Sequence, residues 1–155
     1  MRTLVYIALL LAVCLSANAR DDDSVRVRYF IVDARMDRSH QSTDFEITRH
    51  RPIVPPGYKA TLDSAVDLYF AAIEKVLADA KISGNWERSV VHGPYVRVEI
   101  SVGGKRLTLG SSYSNGAYLD GFPDSDGTNA RHRAALGAIL KLTAERIQDT
   151  VPKTE

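Results

Sequence analysis

The densest run of side chains able to do chemistry is Tyr113, Tyr118, Asp120, Phe122, Asp124 and Asp126, set within a Ser-, Gly- and Asp-rich stretch over 110–127. Asp124-Ser125-Asp126-Gly127 has the Asp-x-Asp-Gly form in which carboxylates crowd a hard cation such as calcium. The rest of that pattern is missing. With Gly127 set as the sixth loop residue, Phe122 falls at the first ligand position and Arg133 falls where a bidentate glutamate belongs. The acids read better as the polar flank of a helix that Asp124, Asp126 or Thr128 caps. The whole run reads as a binding loop, because long connections that carry aromatic rings are common recognition elements.

Other chemistries are less well provided for. His40, His50, His92 and His132 are scattered, with no His-x-x-x-His pair or neighbouring carboxylate at metal-ligand spacing, so neither a metal nor a cofactor is expected. Ser111, Ser112 and Ser114 precede His132, but no Gly-x-Ser-x-Gly elbow presents any of them, and they read as turn residues. Asp33, Glu46, Glu99 and Asp120 can be combined into many carboxylate pairs, and the sequence selects none for glycoside chemistry. Trp86, just after Gly84 and Asn85, reads as a plug for the edge of the core rather than a ligand-stacking platform.

The N-terminus assigns a compartment. Met1-Arg2 is followed by an apolar run from Leu4 to Leu15 and by Ser16-Ala17-Asn18-Ala19, which is the pattern of a secretory signal peptide over residues 1–19. The apolar run is shorter than the roughly 20 residues of a membrane-crossing helix. Cys14, the one cysteine, sits in Leu11-Ala12-Val13-Cys14, similar to a lipoprotein-processing box except that Val13 stands where Gly, Ala or Ser is usual. Cleavage after Ala19 is therefore expected ahead of lipid anchoring through Cys14, leaving residues 20–155 as one cysteine-free domain. Small secreted animal domains are commonly dense in disulfides, so a bacterial periplasmic location is expected ahead of a secreted one. About 135 residues suffice for a real core. Without Arg2 the 20 Lys and Arg become 19, equal to the 19 Asp and Glu. A neutral domain lacks the basic footprint of a nucleic-acid binder.

The elements that must position these groups follow from periodicity. Val25 to Val32 alternates as a strand whose second half is apolar on both sides, and Thr43 to His50 offers a partner strand for a loose hairpin. From Thr61, the apolar residues Leu62, Val66, Tyr69, Phe70, Ile73, Val76, Leu77 and Ala80 recur at helical spacing, with Thr61 as cap and Gly84 at the exit. A short strand fits Arg88 to His92. Tyr95 to Val102, Gly103-Gly104 and Lys105 to Ser111 form a hairpin in which Val102 opposes Lys105, Ile100 opposes Leu107 and Val98 opposes Leu109. A second helix starts near Thr128 and buries Ala135, Leu136, Ile139, Leu140, Leu142 and Ile147. The order ββαββα predicts an α+β, two-layer fold: an antiparallel sheet of four to five strands, both helices on one face and the other face open.

Function is expected to be non-enzymatic: an exported binding protein of the bacterial envelope, of inhibitor or immunity type, that engages another envelope protein through the 113–126 loop and the adjoining hairpin. The rival readings are a small periplasmic hydrolase drawing on His92, Asp120 and His132, and an envelope assembly module using Arg97, Glu99 and Arg106 on the open sheet face.

Overall fold

The computed structural model describes residues 22–33, 40–50, 53–54, 56, 58–60, 65–88, 92–114, 117–118 and 127–149. The elements are β1 (Ser24–Asp33), β2 (His40–Thr48), β3 (Tyr58–Ala60), α1 (Val66–Asp79), β4 (Trp86–Arg88), β5 (His92–Val102), β6 (Lys105–Ser114), β7 (Ala117–Tyr118), α2 (Thr128–Ala144) and β8 (Ile147–Asp149). The main sheet has the order β2-β1-β5-β6-β4, with β7 pairing beside β6, while β3 and β8 form a separate ribbon. This is the expected α+β architecture.

Strand alternation sorts the sheet into two faces. Val25, Val27, Phe45, Ile47, Val96, Val98, Ile100, Val102, Leu107 and Leu109 are buried, and they join Tyr69, Phe70, Ile73 and Leu77 of α1 and Ala135, Leu136 and Ile139 of α2 in the core. Each such large side chain contributes roughly 1.5–3 kcal/mol on burial, which is how a fold without disulfides coheres. The β5–β6 register is the expected one, with Val98 on Leu109, Ile100 on Leu107 and Val102 on Lys105. Gly103 and Gly104 turn the chain at φ 59° and 75°.

Several boundaries differ from the sequence expectation. β2 runs from His40 to Thr48 rather than from Thr43 to His50. The short strand expected at 88–92 is β4 at 86–88, and it pairs parallel to β6, so the sheet is mixed. β6 continues to Ser114, and Ser111 and Ser112 are fully buried strand residues rather than turn residues. Ser and Gly are poor strand formers in isolation; here they oppose Tyr95, Val96 and Arg97 of β5, where small residues leave room for a large ring. Ile147 does not extend α2. It begins β8, where it pairs with Ala60.

The helix ends also differ from expectation. Thr61 to Ser64 lie outside the described residues; α1 starts after Ala65 with no side-chain cap. Its exit turns at Lys81, φ 55°, rather than at Gly84. The Ile82 N–H donates to Leu77 O (2.8 Å) and the Lys81 N–H to Ala78 O (3.0 Å), which is a Schellman motif, sealed by the buried pair Leu77 and Ile82. α2 begins after Gly127 at φ 73° with no side-chain cap, and the Thr128 hydroxyl instead accepts from Arg131 Nη2 (3.2 Å).

Candidate functional site

The sheet face away from the helices carries a lattice of charges. Alternation that buries Val25, Val27 and Val98 turns Arg26, Arg28, Arg97 and Glu99 outward. Arg26 Nη2 donates to Asp44 Oδ2 at 2.7 Å. Arg28 Nε faces Asp44 Oδ1 at 3.2 Å without hydrogen-bond alignment, and its Nη1 lies 3.6 Å from Glu99. At the end bearing the β5–β6 turn, a polar trough of about 500 Å³ runs between Arg26, Glu46, Asn85, Glu99, Arg106 and Thr108. Asn85 Oδ1 accepts from the Thr108 N–H (2.8 Å), covering part of the outer edge of β6. Half-exposed pairs of this kind each add little stability, so the lattice matters more as a surface than as a brace.

The opposite end of the same face is aromatic. Phe30 and Tyr95 stand with ring centroids 5.0 Å apart, and the Arg97 guanidinium lies 5.9 Å from the Phe30 centroid. Glu87 of β4 accepts from both Arg97 Nε (2.7 Å) and the Tyr95 hydroxyl (3.1 Å) through one oxygen, Oε1. Burial, the Glu87 charge and this hydrogen bond together push the Tyr95 phenol well above its usual range. The four residues and Val32 border a recess of about 220 Å³. Phe30 is opposite Tyr95, and Tyr95 opposite Ser112, so the cluster sits at the end of the sheet from which the chain leaves β6 toward 114–127. Ile31 continues the inward-facing row of Val25, Val27 and Tyr29, yet half of its surface is exposed. Among the described residues, therefore, the helical layer stops short of this end.

Of the six loop residues singled out by sequence, Tyr113 is on β6 and leans inward. Its ring meets Tyr29 edge-on at 6.3 Å, and Tyr29 meets Phe45 edge-on at 6.4 Å. Burial, reinforced by Tyr113, raises the Tyr29 phenol. The backbone of Tyr118 pairs with Tyr113 in β7. Asp120, Phe122, Asp124 and Asp126 lie outside the described residues. Phe30, Tyr95 and Glu87 were missed as a cluster, because only the parallel placement of β4 brings Glu87 to β5.

Trp86 is the core-edge plug its position implied. It is buried, and its Nε1 donates to Asn129 Oδ1 at 2.9 Å. His132 stacks on it with centroids 5.4 Å apart. His132 Nδ1 lies 2.6 Å from the Thr128 carbonyl oxygen; a carbonyl only accepts, so Nδ1 carries the proton. His92 opens β5 opposite Asp33. Among the described residues, no group of three His, Cys, Asp or Glu could hold a metal ion, and no helix is long and apolar enough to cross a membrane.

Comparison with known proteins leaves the assignment to this geometry. No protein-family model, curated protein or solved structure matches the chain. What the chain can do is therefore read from its own surfaces, of which the aromatic end of the open face is the best built.

Proposed function

We propose that this chain is a non-enzymatic binding protein exported to the bacterial envelope, of inhibitor or immunity type, that grips a partner protein with the aromatic end of its open sheet face and the adjoining 113–126 loop. The observation that carries this reading is the Phe30–Tyr95–Arg97–Glu87 cluster at the end of the sheet where that loop departs. Aromatic and arginine side chains held rigidly by neighbours are the usual anchors of protein interfaces; here the half-buried Phe30 and Arg97 offer the surface, with Glu87 holding Arg97 and the buried Tyr95 ring supporting Phe30. Tyr118, Asp120, Phe122, Asp124 and Asp126 would extend the contact. Export is supported by the N-terminal pattern of residues 1–19.

Two other readings have less behind them. The assembly module would use Arg97, Glu99 and Arg106 on the same face, and it gains from the charge lattice but not from the aromatic cluster. The hydrolase would need His132, whose Nδ1 is committed to Thr128 and whose ring is stacked on Trp86.

The test is capture from envelope extract by the mature chain, with recovery of each captured protein compared across variants. Phe30→Ala, Arg97→Glu, Tyr118→Ala and Asp120→Ala should each lower recovery of the same protein at least fivefold, while Lys75→Glu on α1 should leave it unchanged. Equal recovery with all five variants would remove the proposal. Loss confined to Arg106→Glu would transfer the contact to the assembly reading.

A further inference from the structure

The Arg97–Glu87 pair leaves donors and an acceptor unused on the open face. Glu87 Oε1 accepts both from Arg97 Nε (2.7 Å) and from the Tyr95 hydroxyl (3.1 Å), while among the described residues no donor meets Oε2. Arg97 is in the same position: its Nε is spent on Glu87, and among the described residues no acceptor meets Nη1 or Nη2. The two side chains are 36% and 38% exposed, so a ligand can reach them. Both line the recess of about 220 Å³, whose remaining lining is the buried Tyr95 with the half-buried Phe30 and Val32.

These leftovers make a pattern. A guanidinium held through Nε still presents its two terminal nitrogens as a fork, which takes a carboxylate through two parallel charge-assisted hydrogen bonds. The spare oxygen of Glu87 takes one N–H. The recess takes one apolar side chain, since a cavity of about 150 Å³ accommodates a benzene ring. In a polypeptide, an α-carboxylate, an N–H and a side chain spring from one carbon only at the last residue. An internal Asp or Glu would spend its side chain on the fork and have none left for the recess. The residues directly opposite Arg97 in the sheet are Arg28 and Gly110, so an incoming carboxylate meets no acid across either strand. The recess is open along the sheet face, as a landing place for the end of a macromolecule must be.

We propose that this recess binds the C-terminal residue of the partner chain, with its carboxylate on Arg97 Nη1 and Nη2, its N–H on Glu87 Oε2 and an apolar side chain against Phe30 and Val32. The inference rests on the reading of this face as a partner-binding surface, and it adds the chemistry that the partner must bring.

The test is titration of the mature, isotope-labelled chain with acetyl-alanyl-leucine, a mimic of a chain end, followed by amide NMR. Saturable shifts should centre on Phe30, Val32, Glu87 and Arg97, with binding at least tenfold tighter than that of acetyl-alanyl-leucinamide, which lacks the carboxylate. Methylation of the leucine nitrogen, which deletes the donated N–H, should weaken binding at least threefold. Arg97→Gln should bring acid and amide within threefold of each other. The peptide series is read on the wild-type chain, so it stands whether or not that variant folds. Equal binding of acid and amide, or shifts that never saturate, would overturn the proposal. Acetyl-glutamyl-leucinamide binding as tightly as the free acid would overturn the chain-end assignment in favour of an internal acidic residue. Capture from envelope extract that is lost in Phe30→Ala and Arg97→Glu, together with no peptide binding, would overturn this inference alone and leave the partner surface standing. Acid-selective peptide binding with capture unchanged would remove the envelope partner alone.

Discussion

The ring of Tyr95 lies directly over Gly110, with Cζ 2.9 Å and Cε1 3.0 Å from the point where a side chain at residue 110 would begin. Tyr95 belongs to the open face by strand parity, yet it is almost fully buried. The missing side chain of its diagonal neighbour is what lets it lie down, and Glu87 then holds its hydroxyl. Gly110→Ala should therefore lift the ring and cost about 1–3 kcal/mol, the usual range for over-packing. In a Tyr95→Ala background the same change should cost about 1 kcal/mol less. Urea unfolding of the four members of the cycle measures this, and additive costs would mean the ring is not wedged on Gly110.

Asp23 ties three parts of the fold together. Its carboxylate is 2% exposed and receives Arg49 Nε (3.1 Å) and Nη2 (2.8 Å) on one oxygen and the Gly103 N–H (3.0 Å) on the other. Arg49 also bonds Asp67 of α1 and lies 4.9 Å from the Phe70 centroid. Asp23→Ala removes two charge-assisted hydrogen bonds from a mostly buried cation, which keeps the exposed Asp67, and leaves the Gly103 N–H without its acceptor; it should destabilise by about 3 kcal/mol. Asp67→Ala removes a carboxylate that is 78% exposed and should cost under about 1 kcal/mol. Thermal unfolding of both variants checks the contrast, and similar losses would contradict the placement of Asp23.

Lys81 occupies a left-handed position at the end of α1 where glycine carries no Cβ penalty. Lys81→Gly should raise stability by about 0.5–1 kcal/mol, read as a higher urea midpoint with an unchanged slope. A loss of stability would show that the Lys81 side chain contributes more than its backbone strain removes.

Alkaline pH should weaken the fold before any backbone chemistry does. Burial pushes the Tyr69 phenol up to about 12 from 10, opposed in part by the Arg146 charge; its hydroxyl donates to Thr143 Oγ1, whose own proton goes to Ile139 O, and Tyr95 moves in the same direction. An acid whose folded pKa is raised gives stability that is complete below the unfolded value. That stability is lost as pH climbs from about 10 through about 12, because the unfolded chain releases its proton first. For Tyr69 the loss is on the order of 2 kcal/mol. Tyr69→Phe should flatten this part of the profile while lowering stability near neutrality by about 1 kcal/mol through the lost hydrogen bond. An unchanged slope between pH 10 and 12 in that variant would assign the alkaline transition to other groups.

Periodicity determined much of this protein without reference to the fold. The alternation of Val98, Ile100 and Val102 against Leu107 and Leu109 specifies both the hairpin register and its buried face, because a one-residue slip would turn every apolar side chain to solvent. The stripe Tyr69, Phe70, Ile73 and Leu77 specifies the inner face of α1 in the same way. Tertiary structure decided what those faces meet. Asp23 ends an acidic run, Asp21-Asp22-Asp23, that local spacing alone would leave to solvent, yet it is buried because Arg49 and Gly103, 26 and 80 residues away, converge on it. Tyr95, Gly110 and Glu87 become one cluster only once β4 lies parallel to β6. Local spacing records which way a side chain points, whereas its partners depend on chain segments brought together from a distance, and in this molecule the candidate binding surface is made of such partners.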